Sequence, residues 1–216
     1  QYGFLDLLKT PELRKRSLVM FVIWPVVSMV YYGLSMKADI LGGDIYVSFI
    51  IGGLIELPAF LVVYLVIDRI GRCYVLAIGF GLTGCCLLFN LLITSDTPQW
   101  ITLASLFVSR CSITHAAVYM FAPELFPTIV RNTAMGVCSM VARVGAIAAS
   151  FIAMWIVERF GKMFMLIPFG GLCSIAAILI LVFLPETMGQ QLPATIEEIE
   201  NSKKKIQLQM EDGDKD

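Results

Sequence analysis

Met163-Phe-Met-Leu-Ile-Pro-Phe-Gly-Gly-Leu-Cys-Ser-Ile-Ala-Ala-Ile-Leu-Ile-Leu-Val-Phe-Leu184 runs for 22 residues without one Asp, Glu, Lys, Arg or His. A bilayer core is crossed by roughly 20 predominantly apolar residues in a helix. Backbone groups in hydrocarbon must bond within their own segment, so a stretch this long and this apolar reads as a spanning helix. Working back along the chain, five more segments carry the same signature: Ser17–Met36, Tyr46–Ile67, Tyr74–Thr94, Trp100–Phe121 and Thr133–Trp155. The connections are short: Lys37–Ile45, Asp68–Cys73, Ser95–Gln99, Ala122–Asn132 and Ile156–Lys162. The expected fold is all-α and polytopic, with a cytoplasmic lead-in over 1–16, a six-helix bundle over 17–184 and a disordered cytoplasmic tail over 185–216.

Composition agrees. Charged residues make up 15% of the 216 residues and mean hydropathy is +0.81, against about 25% charged in soluble domains. The charges also cluster: six lie in the first 16 positions and twelve from Glu186 onward. A net charge of −1 with no basic stripe excludes a nucleic-acid binder. Cys73, Cys85, Cys86, Cys111, Cys138 and Cys173 have neither C-x-x-C spacing nor a His at metal-finger distance, so they read as buried free thiols, with no metal site. Gln1 opens a polar, basic stretch, so no cleavable signal peptide is expected, and the missing initiator Met reads as a fragment or a processed piece. Lys and Arg set the orientation. With the N-terminus cytoplasmic, the inner side receives Lys9, Arg14, Lys15, Arg16, Arg69, Arg72 and Arg131, and the outer side only Lys37, Arg159 and Lys162. Both termini are therefore expected inside.

Gly79-Phe80-Gly81-Leu82-Thr83-Gly84 matches the dinucleotide fingerprint literally but lies inside a span, where the fingerprint's strand and helix context is missing. Small residues that let helices approach closely are the better account, and no cofactor is expected. A solitary His115 reads as a packed residue. A membrane enzyme would need a nucleophile–base pair or metal cluster, for which one His is a poor start; the chain is not expected to be an enzyme.

Glu56, Arg110 and Arg143 are the ionisable side chains inside spans, each costing at least ~2.5 kcal/mol on insertion scales. Each should face a cavity or a partner. Ser139, Arg143, Ala146 and Ser150 share one helical face, the pattern of a wall along water. Pro58, two residues past Glu56, is expected to weaken its helix and release carbonyls. Trp24, Ser28, Tyr31 and Ser35 form a comparable stripe with Tyr32 beside it. Aromatic faces and a carboxylate suit an organic ammonium ion, although Trp24 equally suits an interfacial anchor. A Glu56–arginine ion pair is the structural alternative. Asp68-Arg69-Ile70-Gly71-Arg72 places an acid beside two arginines at a tight reversal, where ion pairs can be kept in one conformation and broken in another.

These residues, in order, resemble a known family. Asp68-Arg69-Ile70-Gly71-Arg72 is similar to the D-R-x-G-R loop of the major facilitator superfamily, with Tyr64 where that loop usually has Gly and Cys73 where it often has a base. Tyr31-Tyr32-Gly33-Leu34-Ser35, Glu56-Leu57-Pro58-Ala59, Pro123-Glu124-Leu125-Phe126-Pro127-Thr128 with Arg131-Asn132, Ser139-Met140-Val141-Ala142-Arg143-Val144-Gly145 and Leu184-Pro185-Glu186-Thr187 extend the likeness. Together they resemble the C-terminal six-helix half of the organic cation, anion and carnitine transporter family, from Leu13 to Glu200. The resemblance implies alternating-access transport of a small organic ion across the plasma membrane, with the N-terminal six-helix half of the same carrier and the lipid bilayer as partners. It implies substrate contacts at Trp24, Tyr31, Tyr32, Glu56 and Arg143, and a cytoplasmic gate at Asp68, Arg69, Gly71, Arg72, Glu124 and Arg131. In that family, cation carriers resemble this chain at Glu56 but typically carry an acid near the position of Arg143. Anion carriers resemble it at Arg143 but tend to have a Lys near Phe60. One acid and one base favour an organic cation or carnitine-like zwitterion over an anion. The rival readings are a truncated, non-transporting membrane protein that associates with full-length carriers, and an organic anion carrier.

Overall fold

A computed structural model describes residues 4–36, 45–92, 108, 115–161, 163–189, 193 and 199. After a 3-10 helix at Phe4–Leu8 come α1 (Pro11–Met36), α2 (Ile45–Ile70), α3 (Arg72–Phe89), α4 (His115–Leu125), α5 (Thr128–Phe151) and α6 (Met163–Phe183). α5 continues through a π turn at Ile152–Ile156 and a last α turn at Val157–Phe160. Among the described residues, α1, α3, α5 with its continuation and α6 are long and apolar enough to cross a membrane. The protein is an all-helical, multi-pass integral membrane protein.

Two helix pairs make the closest contacts, and small residues explain both. On α5, Ala134, Cys138, Ala142, Gly145 and Ala149 are buried, recurring every three or four residues down one face. This face lies against α1, and a Cβ at Gly145 would collide with the Pro25 carbonyl. α3 meets α6 where a Cβ on Gly84 would come within 2.6 Å of Ser174 Oγ and 3.0 Å of the Gly170 carbonyl oxygen. Gly84 closes the glycine pattern noted in α3, so its place is in helix packing, as small residues permit. Trp24, Phe121, Phe126 and Phe169 fill the remaining interior. α2 contrasts with the rest: it leans on α3, while Leu54, Leu57, Leu61 and Tyr64 are each about 60% exposed.

Several boundaries differ from the sequence expectation. α1 begins at Pro11, inside the expected 1–16 lead-in, because proline's fixed φ suits the first helical position; Leu7 before it is fully buried. The Asp68–Cys73 connection contracts to Gly71, and Ala122–Asn132 contracts to Phe126–Pro127. α2 runs unbroken through Pro58, so the expected interruption there does not occur. The 185–216 tail is packed near its start: Thr128 donates its backbone N–H to the Pro193 carbonyl at 3.1 Å, and Ile199 is buried. Cys73, Cys138 and Cys173 are buried as expected, but Cys85 is exposed. Cys111, Arg110 and most of the Trp100–Phe121 span lie outside the described residues, as does the side chain of His115.

Candidate functional site

At the end of the bundle where α2 turns into α3, side chains from distant parts of the sequence converge. Gly71 has φ +108, a conformation that L side chains avoid, and this single residue reverses the chain. A Cβ there would lie 2.6 Å from Glu186 Oε2. Glu186 follows α6 and folds back over the start of α3. Its Oε1 accepts the Arg72 backbone N–H at 2.8 Å and its Oε2 accepts that of Cys73 at 3.0 Å. The first N–H groups of a helix lack intrahelical partners and carry partial positive charge, so a carboxylate held there satisfies both needs. Glu186 Oε1 also accepts from the backbone of Thr187 and Met188, each at 3.0 Å.

Arg72 and Glu124 form the centre of this network. Arg72 Nε lies 2.8 Å from Glu124 Oε1 and 2.7 Å from Oε2, and Arg72 Nη2 is 3.2 Å from Asp68 Oδ1. Thr187 donates its hydroxyl to Glu124 Oε2 at 2.7 Å. The Arg72 and Glu124 side chains are 23% and 25% exposed, while Asp68 is 67% exposed. The inner pair is therefore the stronger one, because water weakens the Asp68 contact. Nearby, Arg16 of α1 donates to the Leu125 carbonyl at 3.2 Å. Arg131 Nη2 donates to the Phe126 carbonyl at 3.4 Å, and its buried Nε has no hydrogen-bond partner among the described residues. Arg69 is exposed. Of the six residues expected at this gate, Asp68, Gly71, Arg72 and Glu124 come together, with Arg131 on the adjoining turn.

The expected substrate residues are spread more widely. Arg143 is exposed on α5, with Met140, Val144 and Ile147 bare around it; among the described residues it has no ion-pair partner. Ser139, Ala146 and Ser150 are half-buried along that side. Glu56 is half-buried on α2 between exposed Leu54 and Leu57. On α1 the expected stripe turns the other way: Trp24 is fully buried and Ser28 is 2% exposed. Tyr32, 43% exposed, is the aromatic that reaches the surface, set edge-on to half-buried Tyr31 at 5.4 Å. Trp24 reaches no surface, and so is no interfacial anchor. Its ring stands at 4.6 Å, edge-on, from that of Tyr119, which is 44% exposed.

Sequence reasoning therefore did not single out Glu186, Thr187 and Tyr119, which the structure sets against the expected residues. Leu184-Pro185-Glu186-Thr187 was visible as a motif, but nothing in its spacing said that its carboxylate would cap α3. Tyr119 sits one turn past His115 and carried no local signal. Among the described residues no three His, Cys, Asp or Glu side chains are grouped to hold a metal ion.

This architecture is that of a six-helix half of a major-facilitator-type membrane protein. Residues 17–200 match the family described as sugar (and other) transporter, and the chain belongs to that family. An organic cation transporter protein of Drosophila melanogaster is 37% identical over 204 residues, covering 93% of this chain and 36% of that protein. Solute carrier family 22 member 2 of Rattus norvegicus is 35% identical over 222 residues, covering 99% of this chain and 40% of that protein. Among solved structures, the proton:xylose symporter XylE of the major facilitator superfamily aligns with a TM-score of 0.64 at 22% identity, covering 84% of this chain and 42% of that one. The chain thus spans about two fifths of the length of the relatives it matches. The family resemblance read from the motifs stands on these matches.

Proposed function

We propose that this chain is the C-terminal half of a carrier that moves small organic ions across the plasma membrane by alternating access, both termini lying in the cytoplasm. The observation that carries this reading is Arg143, a guanidinium exposed on an apolar spanning helix. Lipid does not tolerate it there: the cost is at least ~2.5 kcal/mol. Its open side therefore faces water, substrate or a second six-helix half rather than hydrocarbon. Glu56 on α2 supplies the opposite charge, and Tyr32 and Tyr119 supply aromatic faces. An acid, a base and aromatic rings suit an organic cation or a carnitine-like zwitterion through charge pairing and cation–π attraction. Trp24 acts from behind, holding the Tyr119 ring.

The Gly71 end serves as the cytoplasmic gate. In this conformation the Arg72–Glu124 pair ties α3 to α4, and Glu186 ties α3 to the tail. Arg131, whose Nε has no hydrogen-bond partner among the described residues, would engage the other half. Rocking of two halves about a central site would exchange such contacts. The test is uptake of labelled organic cations, zwitterions and anions by the full-length carrier. Arg143→Ala is expected to raise the half-saturating concentration for substrates bearing a carboxylate, and Glu56→Gln for those bearing an ammonium group. Arg72→Gln is expected to lower the maximal rate more than it changes that concentration. If no labelled ion enters, or if the charge variants leave every substrate unaffected, the assignment fails.

A further inference from the structure

At the end of α5 farthest from the Gly71 turn, the hydrogen-bond ladder changes register. Ile152 donates its N–H to the Ala148 and Ala149 carbonyls, the first of them four residues back as in an ordinary α-helix. Val157 donates five residues back, to Ile152. Gly161 returns to four, donating to the Val157 carbonyl at 2.9 Å. Between these bonds the carbonyls of Ala153, Met154, Trp155 and Ile156 face only the N–H groups of Glu158, Arg159 and Phe160. One carbonyl therefore has no donor from the ladder, and the turn is wider than an α turn. Such π turns are rare inside α-helices, recur at functional sites and are places where helices bend.

Packing divides at the same place. On the Thr128 side α5 is clamped to α1: a Cβ at Gly145 would collide with the Pro25 carbonyl, and Ala149 and Ala153 are fully buried. Beyond the π turn, Val157–Phe160 has no buried residue. Phe160 is 59% exposed and meets α6 through Phe164, the ring centres 5.2 Å apart. The chain then reverses at Gly161, φ +87, where an added Cβ would meet nothing within 4 Å. A helix held tightly on one side of a weakened turn and loosely on the other bends at that turn. Converting the π turn to an α turn would move everything beyond it by one residue's step, about 100° of rotation and about 1.5 Å of rise. The open space around Gly161 accommodates that step.

We propose that the π turn at Ile152–Ile156 is a hinge on which the far end of α5, Val157–Phe160, swings as that end of the bundle opens and closes. The Gly145–Pro25 contact is its fixed side. The inference rests on the transport reading and gives the end opposite the Gly71 turn a moving part of its own. The two ends then work differently. An ion pair and a carboxylate cap hold the Gly71 end, whereas a change of backbone register serves at this one. Hinges of this kind absorb a large change in backbone angles within a few residues.

The experiment is hydrogen exchange of backbone amides in the full-length carrier, read peptide by peptide along α5 and its continuation. A hinge predicts a step: amides beyond Ile152 exchange together, about tenfold faster than those of Gly145–Phe151. Fraying of a helix end predicts instead a gradual rise towards Phe160, and that result would overturn the hinge, as would uniform protection. Deleting Met154, which is 63% exposed, removes the additional residue of the π turn and should abolish the step. In uptake of labelled organic cations, zwitterions and anions, the same deletion should lower the maximal rate about tenfold at nearly unchanged KM. A deletion protein that melts like the parent and transports at the parent rate would also overturn the hinge. If the deletion protein does not fold, the exchange pattern of the parent decides alone. A clear step in a carrier that takes up no labelled ion would sink the transport reading and leave the hinge standing.

Discussion

The two charged regions of this chain differ in how far the chain itself completes them. At the Gly71 end every central group has a partner: Glu186 caps α3, Glu124 holds Arg72 and receives Thr187, and Arg72 reaches Asp68. On the open face of α5, Arg143 stands among exposed apolar side chains and has no ion-pair partner among the described residues. The first arrangement stabilises one conformation, while the second leaves a guanidinium open on the face of α5. Charge inside a membrane protein thus has two uses here, and partnering distinguishes them.

That distinction is open to mutation, and Gly71 should give the largest effect. Gly71→Val adds a branched side chain at φ +108, against Glu186. Strain of about 1–3 kcal/mol adds to the lost cap, so the melting temperature of the full-length carrier should fall steeply, with little protein reaching the surface. Retention of parental stability would break the account of the reversal.

Arg72→Ala should cost less, about 1–3 kcal/mol, because it strands Glu124 in a site only one-quarter exposed. Combining it with Glu124→Ala should cost less than the sum of the single changes. Additive losses in a thermal-melting cycle would mean that the pair is not coupled. Glu186→Gln keeps the shape but removes the charge at the start of α3. Losing the helix-terminus interaction alone predicts about 0.3–1 kcal/mol, read as a small drop in melting temperature that shrinks at high salt. Arg143→Ala should give the smallest stability change, within about 0.5 kcal/mol, since it removes no partner.

The helical content and the packing role of the α3 glycines were legible in the sequence because both follow from local composition. Twenty-residue apolar runs allow one backbone solution in hydrocarbon, and Gly84 faces α6 for the reason its size suggested. Boundaries were less legible. Pro58 and Pro123 lie inside helices, where each removes one backbone hydrogen bond without ending the run. Pro11, by contrast, starts a helix that the charges of Glu12, Arg14, Lys15 and Arg16 had hidden. At the Gly71 end, Asp68, Gly71 and Arg72 are neighbours in sequence and come together in the structure. Glu186 lies 114 positions from the N–H it accepts, and no spacing rule reaches that far. The α1 stripe failed for a different reason. Helical periodicity names residues that share a face, but burial decides which face is inward, and Trp24 with Ser28 turned out to face α1's own neighbours.

The most direct test of the two-use account is one paired measurement on the full-length carrier: uptake rate against substrate concentration, with melting temperature, for Arg143→Ala beside Arg72→Ala. The account predicts that Arg143→Ala raises KM at unchanged melting temperature, while Arg72→Ala lowers both the melting temperature and the maximal rate at nearly unchanged KM. An Arg143→Ala protein that melts early and binds substrate normally would show that Arg143 is a structural ion, and would contradict the account.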